Sequence, residues 1–534
     1  MEKEYAVIVH RGVDLEAFDA EMAASQGHGP IPNRSVDVAN PRLGSRRMTH
    51  WMITDTEAEE LRADPRVLAV EIPPDQRDDI QMIKNATQSA SFYRGNRQTA
   101  TDVNWGLRRS ISLINIYENN TTISNDSGYE YALDGTGVDI VIQDSGIQSN
   151  HPEWQDANGV SRLQQIDWYT ASGLPGTQSA QHYRDYDGHG THVASTAAGK
   201  TYGWAKGAHI YSQKLAGLEG AGDLGTGIPT ADAFDAIRLW HLAKTNGRPT
   251  VVNMSWGYVV PNVTSDPTGG TYRGTSWTFT TQTDTQLWDS YGIVAKFSGS
   301  DGDPDYRRLP SQNAFADAEV EDMIDAGIHV CIASGNDYYK GDVFGGADYD
   351  NFVTINGQNR YYHRPASPYS DRAFFVGNMD SDTIQEDVGF GIILDKDRTA
   401  GSSKKGPAVN IWAPGTNITA AMSIINDGGS VTSPVLDYPD NSTYKTQNLS
   451  GTSMASPQVA GVLALYLQSQ PHATPEQLMN KIIADSVDFM YTTANNDTDY
   501  RAYTTSLMGS PNRVLYCRYG RQPYNITGSI NITR

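Results

Sequence analysis

The pattern of hydrophobic and polar positions changes character along the chain at about residue 75 and again at about residue 105. Before the first change, alternating segments and segments with helical spacing follow one another in the order βαββαβ. Strands are predicted at 4–10, 35–39, 47–54 and 67–72, and helices at 14–25 and 56–64. This order is typical of a small α+β unit of the ferredoxin-like type.

After residue 105 the predicted strands are apolar on both faces, as expected for a parallel sheet that is covered by helices. The strands are predicted at 138–144, 209–215, 250–256, 328–334, 373–377 and 409–413, and the helices at 192–199, 230–244, 314–326 and 453–468. Strands that alternate with helices predict an α/β, three-layer domain with a mostly parallel sheet.

These changes divide the chain into four parts. Residues 1–75 form the small domain, and residues 76–104 form a polar linker without periodicity. Such a linker is exposed and open to cleavage. Residues 105–517 form the large domain, and residues 518–534 form a polar C-terminal tail.

Composition and charge narrow the function classes. The 534 residues are 38% hydrophobic and carry a formal net charge of −21. The hydrophobic fraction allows a sizeable core. The strongly negative net charge argues against binding to nucleic acid or to an anionic membrane surface. Two cysteines, Cys331 and Cys517, do not make a disulfide framework.

The N-terminus lacks the apolar run of a signal peptide, and no stretch reaches the roughly 20 apolar residues of a membrane span. The expected location is therefore the cytoplasm, the exterior after non-classical export, or a virus particle.

Four residues with catalytic potential lie at predicted strand ends or helix starts. Asp144 and Asn336 each end a buried strand, and His189 lies between two glycines where a helix is predicted to start. Ser453 lies in the first turn of a predicted apolar helix, where free N–H groups favour a developing negative charge. Each residue alone could be a turn or capping residue, and His189 could be a metal ligand.

Three motifs together resemble the subtilisin-type serine proteases, or subtilases. They are Asp144-Ser145-Gly146, His189-Gly190-Thr191-His192-Val193-Ala194 and Gly451-Thr452-Ser453-Met454-Ala455-Ser456-Pro457. The order Asp, His, Ser is that of the family, and the resemblance covers residues 105 to 517. A lipase or esterase is disfavoured, because the sequence around Ser453 is not Gly-x-Ser-x-Gly.

The resemblance implies a serine endopeptidase that acts on proteins or peptides and needs no cofactor for its chemistry. Ser453 would be the nucleophile, His189 the general base, and Asp144 the residue that orients His189. Asn336 would form the oxyanion hole together with the backbone N–H of Ser453.

The same resemblance implies two substrate-binding segments. Ser255-Trp256-Gly257 would pair with an extended substrate, and Ala333-Ser334-Gly335 would form one wall of the primary specificity pocket. An ordinary buried strand end is the alternative interpretation of residues 255–257.

The first domain resembles the inhibitory prodomain of the family in residues 5–9 and 59–71. The resemblance implies a self-processing zymogen, in which this domain is an intramolecular inhibitor until the chain is cut within residues 72–104. Two alternatives remain: the domain is an unrelated binding module, or the whole chain is a non-catalytic scaffold that retains the fold.

Residues 258–313, 380–405 and 424–447 are longer than the corresponding family segments. They are either tolerated surface insertions or loops that shape access to a substrate or partner. The acidic run 301–305 could hold a structural calcium ion, which subtilases often bind, but it lacks the EF-hand pattern. A solvated acidic loop is the alternative, and the sequence specifies no metal ligand set.

Overall fold

The chain forms two compact units, residues 1–84 and 85–534. The computed structural model describes residues 2–10, 12–41, 45, 47–73, 86–88, 91–95, 102–117, 122–123, 128–220, 222–299, 303–389, 391–424, 435–493, 500, 502 and 504–521. Most of the predicted linker and of the C-terminal tail, and residues 425–434 of one long loop, therefore lie outside the described residues.

The first unit has the predicted order βαββαβ. Its elements are β1 (Lys3–Val9), α1 (Leu15–Ala23), β2 (Asp37–Asn40), β3 (Met48–Ile53), α2 (Asp55–Leu61) and β4 (Val67–Glu71). The strands form an antiparallel sheet in the order β2-β3-β1-β4. Phe18 and Met22 of α1 and Leu61 of α2 are buried with Val7 and Trp51 of the sheet, so this unit has a core of its own.

The second unit contains many short strands and eight α-helices among its described residues. In chain order the strands are β5 (Ala86–Gln88), β6 (Ser91–Tyr93), β7 (Asp102–Asn104), β8 (Thr122–Ile123), β9 (Tyr129–Tyr131), β10 (Asp139–Asp144), β11 (Leu163–Gln164), β12 (His209–Lys214), β13 (Thr250–Met254), β14 (Val259–Val263), β15 (Gly269–Tyr272), β16 (Thr275–Thr278), β17 (Arg307–Pro310), β18 (His329–Ala333), β19 (Phe352–Ile355), β20 (Gln358–Tyr361), β21 (Phe374–Asp387), β22 (Ile393–Thr399), β23 (Ile411–Pro414), β24 (Ile418–Met422), β25 (Val435–Tyr438), β26 (Asn441–Leu449) and β27 (Gly520–Arg521). The helices are α3 (Gly106–Arg109), α4 (Trp168–Ser172), α5 (His189–Ala198), α6 (Thr230–Ala243), α7 (Asp284–Tyr291), α8 (Ala314–Asp325), α9 (Thr452–Ser469) and α10 (Pro475–Asp485), with a short 3₁₀ helix at Pro152–Trp154.

An eight-stranded sheet forms the centre of this unit. Its order is β11-β12-β10-β13-β18-β21-β22, and β23 also pairs with β21. All pairs are parallel except β21 with β22. The six strands predicted from the apolar segments are all in this sheet, but β21 extends ten residues beyond the predicted end at 377, because its polar second half carries no hydrophobic signal.

Two groups of helices pack on the sheet. Helix α9 packs against α5 and against strands β13, β18, β21 and β23, whereas α6 packs with α4 and α8. Helix α9 is buried along nearly its whole length, from Thr452 to Leu467, which explains why its sequence is apolar on every side.

The boundary between the units differs from the predicted one. Strand β5 pairs with β9, and β6 pairs with β7 and β8, so residues 86–104 contribute strands to the second unit. Strands of three residues are too short to produce a periodic pattern, and the sequence therefore indicated a linker up to residue 104.

The described residues of the insertion 258–313 form strands and a helix. Strand β14 pairs with β17, and β15 and β16 belong to a four-stranded sheet with β19 and β20. A separate apolar cluster, which includes Leu287, Leu309 and Val353, lies beneath these strands. Among the helices that the structure describes, none is long and apolar enough to span a bilayer.

Candidate active site

The site lies at one edge of the central sheet. Because β10, β13 and β18 are parallel neighbours, their carboxyl ends meet there, and ligands of open α/β sheets bind at this edge. Asp144 is the last residue of β10, and Ser255 and Ser334 directly follow β13 and β18. The sequence-predicted residues of three separate segments are thereby brought together.

Asp144 and His189 are in direct hydrogen-bond contact. His189 is the first residue of α5, and its Nδ1 lies 2.8 Å from Oδ1 of Asp144. The Asp144 side chain is 2% exposed, and that of His189 is 29% exposed. Burial lowers the pKa of His189, but the neighbouring Asp144 carboxylate outweighs this and raises the pKa to about 9.

A buried carboxylate that the sequence analysis missed fixes the start of α5. Asp185 accepts hydrogen bonds from the backbone N–H of Gly188 at 2.7 Å and of Thr191 at 2.8 Å. It also accepts one from the hydroxyl of Ser145 at 2.8 Å. These bonds hold the main chain on both sides of His189 against the residue that follows Asp144. The only sequence signal was an Asp close to a predicted helix start, where carboxylates cap free N–H groups.

Gly190 allows α5 to approach the end of β10. A Cβ atom at this position would lie 2.1 Å from the carbonyl oxygen of Gly146. Any side chain at residue 190 would therefore push His189 away from Asp144.

Ser453 is the second residue of α9, in the first turn as predicted. Its hydroxyl donates a hydrogen bond to the carbonyl oxygen of Ser255 at 3.1 Å. In turn the Ser255 hydroxyl donates to the carbonyl oxygen of Ser453 at 2.9 Å. The described side chains of Ser453 and His189 share no hydrogen bond in this arrangement, because the Ser453 hydroxyl donates to Ser255.

Asn336 is anchored to the same helix start. Its Oδ1 accepts hydrogen bonds from the backbone N–H of Thr452 at 2.9 Å and from the Thr452 hydroxyl at 3.1 Å. The Thr452 hydroxyl accepts a further bond from the N–H of Gly335 at 3.1 Å. Since Oδ1 is engaged in this way, the Nδ2 amide of Asn336 is the part that can donate to a ligand beside Ser453.

Two cavities adjoin at Ser255, Trp256 and Gly257, which line both. The first, of about 370 Å³, is also lined by Asp144, His189, Asp187, Leu218 and Glu219. The second, of about 360 Å³, is also lined by Ser453, Asn336 and the segment Ala333-Ser334-Gly335. The structure thus places all ten sequence-predicted site residues around one continuous cleft.

No group of three or more His, Cys, Asp or Glu side chains within the described ranges is placed to hold a metal ion. Of the acidic run considered for calcium, Asp301 and Gly302 lie outside those ranges, and Asp305 Oδ1 accepts a hydrogen bond from the N–H of Gly299 at 3.2 Å. The described part of this run belongs to no such group, and calcium binding stays a prediction.

Fold and site together define an α/β hydrolytic enzyme with a serine, a histidine and an aspartate at one sheet edge. Residues 135–507, more than half of the chain, match the model of the subtilase family, and the chain belongs to that family. It is a serine protease of the subtilisin type.

Curated relatives agree with this assignment. An extracellular serine proteinase of Thermus sp. (strain Rt41A) is 26% identical over 87% of this chain and 74% of its own length. Alkaline serine exoprotease A of Vibrio alginolyticus is 25% identical over 87% of this chain and 57% of its own length. A crystal structure of a cold-adapted subtilisin-like serine proteinase is 22% identical, with a TM-score of 0.45, and the match covers 78% of this chain and 98% of that one.

Proposed function

We propose that the protein is a serine endopeptidase that hydrolyses peptide bonds through an acyl-enzyme and is made as a self-processing zymogen. The observation that carries this proposal is the 2.8 Å contact between His189 Nδ1 and Asp144 Oδ1 at the edge where Ser453 begins α9. This contact fixes the imidazole so that Nε2 is its free nitrogen, which is the nitrogen that a general base needs.

In the proposed reaction, Ser453 Oγ attacks the carbonyl carbon of the substrate while His189 Nε2 takes the hydroxyl proton. The C–N bond then breaks, His189 returns the proton to the leaving amine, and an ester on Ser453 remains. In the second half of the reaction, water attacks this ester while His189 again takes the proton. The ester bond breaks, His189 returns the proton to Ser453, and the carboxylic acid product is released. Asp144 stabilises the imidazolium that forms in both halves.

The oxyanion of each tetrahedral intermediate is proposed to accept hydrogen bonds from Asn336 Nδ2 and from the backbone N–H of Ser453. Two features support this role for Asn336: its Oδ1 is fixed by Thr452, and its side chain lines the same cavity as Ser453. Donors that are held in place before the reaction stabilise the developing charge without reorganisation.

Substrate is proposed to bind as an extended strand along residues 255–257, with one side chain in the second cavity beside Ala333-Ser334-Gly335. The position of Ser255, Trp256 and Gly257 at the junction of both cavities favours this role over an ordinary buried strand end. Backbone pairing would supply affinity, and the cavities would supply selectivity.

Residues 1–75 are proposed to be the inhibitory prodomain, released by a cut between residues 72 and 104. The independent core of the first unit supports a separable domain. Residues 74–85, 89–90 and 96–101 of the cleavage region lie outside the described residues. A non-catalytic scaffold is the rival, and it predicts that this segment is never cut by the protein itself.

The test compares the intact mass of the full chain with that of Ser453→Ala and of Ser212→Ala, a buried serine on β12 away from the cleft. The wild type and Ser212→Ala should lose roughly the first 72–104 residues, whereas Ser453→Ala should stay whole. A fluorophosphonate probe, which needs an activated serine, should label the first two proteins at Ser453. Self-cleavage by Ser453→Ala, or a wild type that is neither cut nor labelled, would contradict the proposal.

Calcium binding, the lack of nucleic-acid and membrane partners, and the location of the protein stay predictions. The Thermus relative is named as an extracellular proteinase, which differs from the cytoplasmic and virion locations expected from the sequence.

A further inference from the structure

The insertion 258–313 builds one wall of the second cavity. Val259 and Asn262 come from β14 and Arg308 comes from β17, and all three line this cavity together with the segment 333–335. Strands β14 and β17 are paired, with Val260 beside Leu309, so this wall is part of a folded sheet. The insertion therefore contributes side chains to the place where a substrate side chain is proposed to bind.

One carboxylate at this cavity is already neutralised. Asp337 directly follows the candidate oxyanion residue, and its carboxylate lies 2.9 Å from Nζ of Lys404. The two side chains are 5% and 0% exposed. Because the buried Lys404 ammonium is paired with Asp337, this carboxylate does not offer a free negative charge to a cationic substrate side chain.

Arg308 brings a positive charge to the second cavity. Its neighbours on β17, Arg307 and Leu309, are buried inside the insertion, and strand alternation places Arg308 on the other face, where it is exposed. Its guanidinium lies over the ring of Tyr306 and donates to the Tyr306 hydroxyl at 3.2 Å.

The charge of Arg308 is not balanced locally. No carboxylate within the described ranges forms an ion pair with Arg308, whereas Arg307 is paired with Asp284 and Asp266. The second cavity is thus lined by Asp337, whose charge Lys404 balances, and by Arg308, whose guanidinium has no carboxylate partner among the described residues. A guanidinium fork matches the two oxygens of a carboxylate.

We infer that the second cavity selects an acidic side chain, Glu or Asp, at the substrate residue that precedes the cleaved bond, and that Arg308 is the specificity-determining residue. The inference rests on the proposed function, because it takes the cleft as the binding site of an extended peptide. It assigns a function to the insertion, which sequence alone left open between a surface loop and a loop that shapes substrate access.

The test uses the processed enzyme and pairs of peptides that are identical except for Glu or Gln before the cleaved bond, with a third peptide that carries Lys. Glu and Gln have nearly the same shape, so the ratio of their kcat/KM values reports the charge. The variants are Arg308→Gln, Arg308→Glu and the matched control Arg360→Gln, an arginine on β20 that lines neither cavity.

The wild type and Arg360→Gln should cleave the Glu peptide with a kcat/KM about ten- to one-hundredfold higher than that for the Gln peptide. This is the range expected when a hydrogen bond to a charged group is gained. Arg308→Gln should bring the ratio to about one, and Arg308→Glu should favour Lys over Glu. A wild-type ratio near one, or a ratio that Arg308→Gln leaves unchanged, would overturn the inference while the proposed function stands. If the wild type cleaves no peptide and its Ser453 takes no fluorophosphonate label, the proposed function fails, and the inference fails with it.

Discussion

Ser453 and Ser255 exchange hydrogen bonds: each hydroxyl donates to the carbonyl oxygen of the other, at 3.1 and 2.9 Å. The second bond has a cause in the sequence. In a helix the carbonyl of residue 453 would accept from the N–H of residue 457, but Pro457 has no N–H. Ser255 supplies the missing donor, and the strand end that follows β13 thereby holds the turn that carries the candidate nucleophile.

We expect Ser255→Ala to lower both stability and turnover. The Ser255 hydroxyl also accepts a hydrogen bond from Asn253 Nδ2 at 2.9 Å, so its removal leaves a buried donor and a buried acceptor unpaired. The free energy of unfolding should fall by about 1–3 kcal/mol. Since the backbone of Ser453 loses an anchor, kcat should fall as well. Urea unfolding and kcat/KM on one peptide measure the two effects.

The matched control is Ser212→Ala. The Ser212 hydroxyl is buried on β12 and has no hydrogen-bond partner in the part of the chain that the structure describes. Its removal should change the free energy of unfolding and kcat by little. Equal losses in the two variants would show that the bond between Ser255 and Ser453 has no special role.

Asn336→Ala and Asn336→Asp should separate the two ends of this side chain. Both variants remove the Nδ2 donor, so kcat should fall by about 10²–10³-fold in each. Asp keeps an oxygen for the N–H and hydroxyl of Thr452, whereas Ala leaves them without an acceptor. The free energy of unfolding should therefore fall more in Asn336→Ala. If Asn336→Asp retained wild-type kcat, Asn336 would not stabilise the oxyanion.

The sequence predicted those parts of the fold in which a short segment carries a strong hydrophobic pattern of its own. The apolar runs of the central sheet and the alternation of the first unit each reveal their strands, because burial on one or both faces fixes the residue pattern. The short strands β5 to β8 could not be found in this way. Their pairing depends on strands elsewhere in the chain, such as β9, and not on any pattern of their own.

In the candidate site, too, residues in local motifs could be predicted and residues joined by long-range contacts could not. Asp144, His189 and Ser453 lie in contiguous motifs, so their neighbours in sequence reveal them. The pair of Asp337 and Lys404 joins residues 67 positions apart, and Arg308 reaches the cleft only because β17 pairs with β14. Contacts of this kind are set by the packing of distant segments, about which local composition carries no information.

Activity should rise with pH into the alkaline range. His189 must be neutral to accept a proton, and the neighbouring Asp144 carboxylate raises its pKa from 6.5 to about 9. We expect kcat/KM to increase through this interval and to level off above it. Asp187 adds to the same shift, so Asp187→Asn should move the inflection to lower pH. The profile of kcat/KM against pH for both proteins is the measurement. A wild-type profile without an inflection in this interval would contradict the assignment of His189 as the base, and an unchanged inflection in Asp187→Asn would contradict only the contribution of Asp187.

The same shift has a defined effect on stability. The pKa of His189 is higher in the folded protein than in the unfolded chain, so the native state binds the proton more tightly. This contribution to the free energy of unfolding is complete below about pH 6.5 and is lost as pH rises to about 9. Thermal unfolding of Ser453→Ala, which prevents self-digestion, should therefore show a decline in this interval that His189→Gln lacks.

Lys404→Met should be among the most destabilising single changes near the cleft. It leaves the carboxylate of Asp337 buried without its partner, which costs about 3–5 kcal/mol in comparable sites. The pair of Lys445 and Asp437 is a matched control, because its side chains are 32% and 56% exposed, and Lys445→Met should cost about 1 kcal/mol or less. Urea unfolding in the Ser453→Ala background compares the two.

A double variant, Lys404→Met with Asp337→Leu, distinguishes the loss of a charge partner from the loss of packing. If the cost of Lys404→Met comes from an uncompensated carboxylate, removal of that carboxylate should restore most of the lost free energy of unfolding. If the double variant is as unstable as the single one, packing around the Lys404 chain is the cause. In the first case the cavity beside Ser453 depends on charge balance between Asp337 and Lys404, and the guanidinium of Arg308 is the charge that remains for substrate.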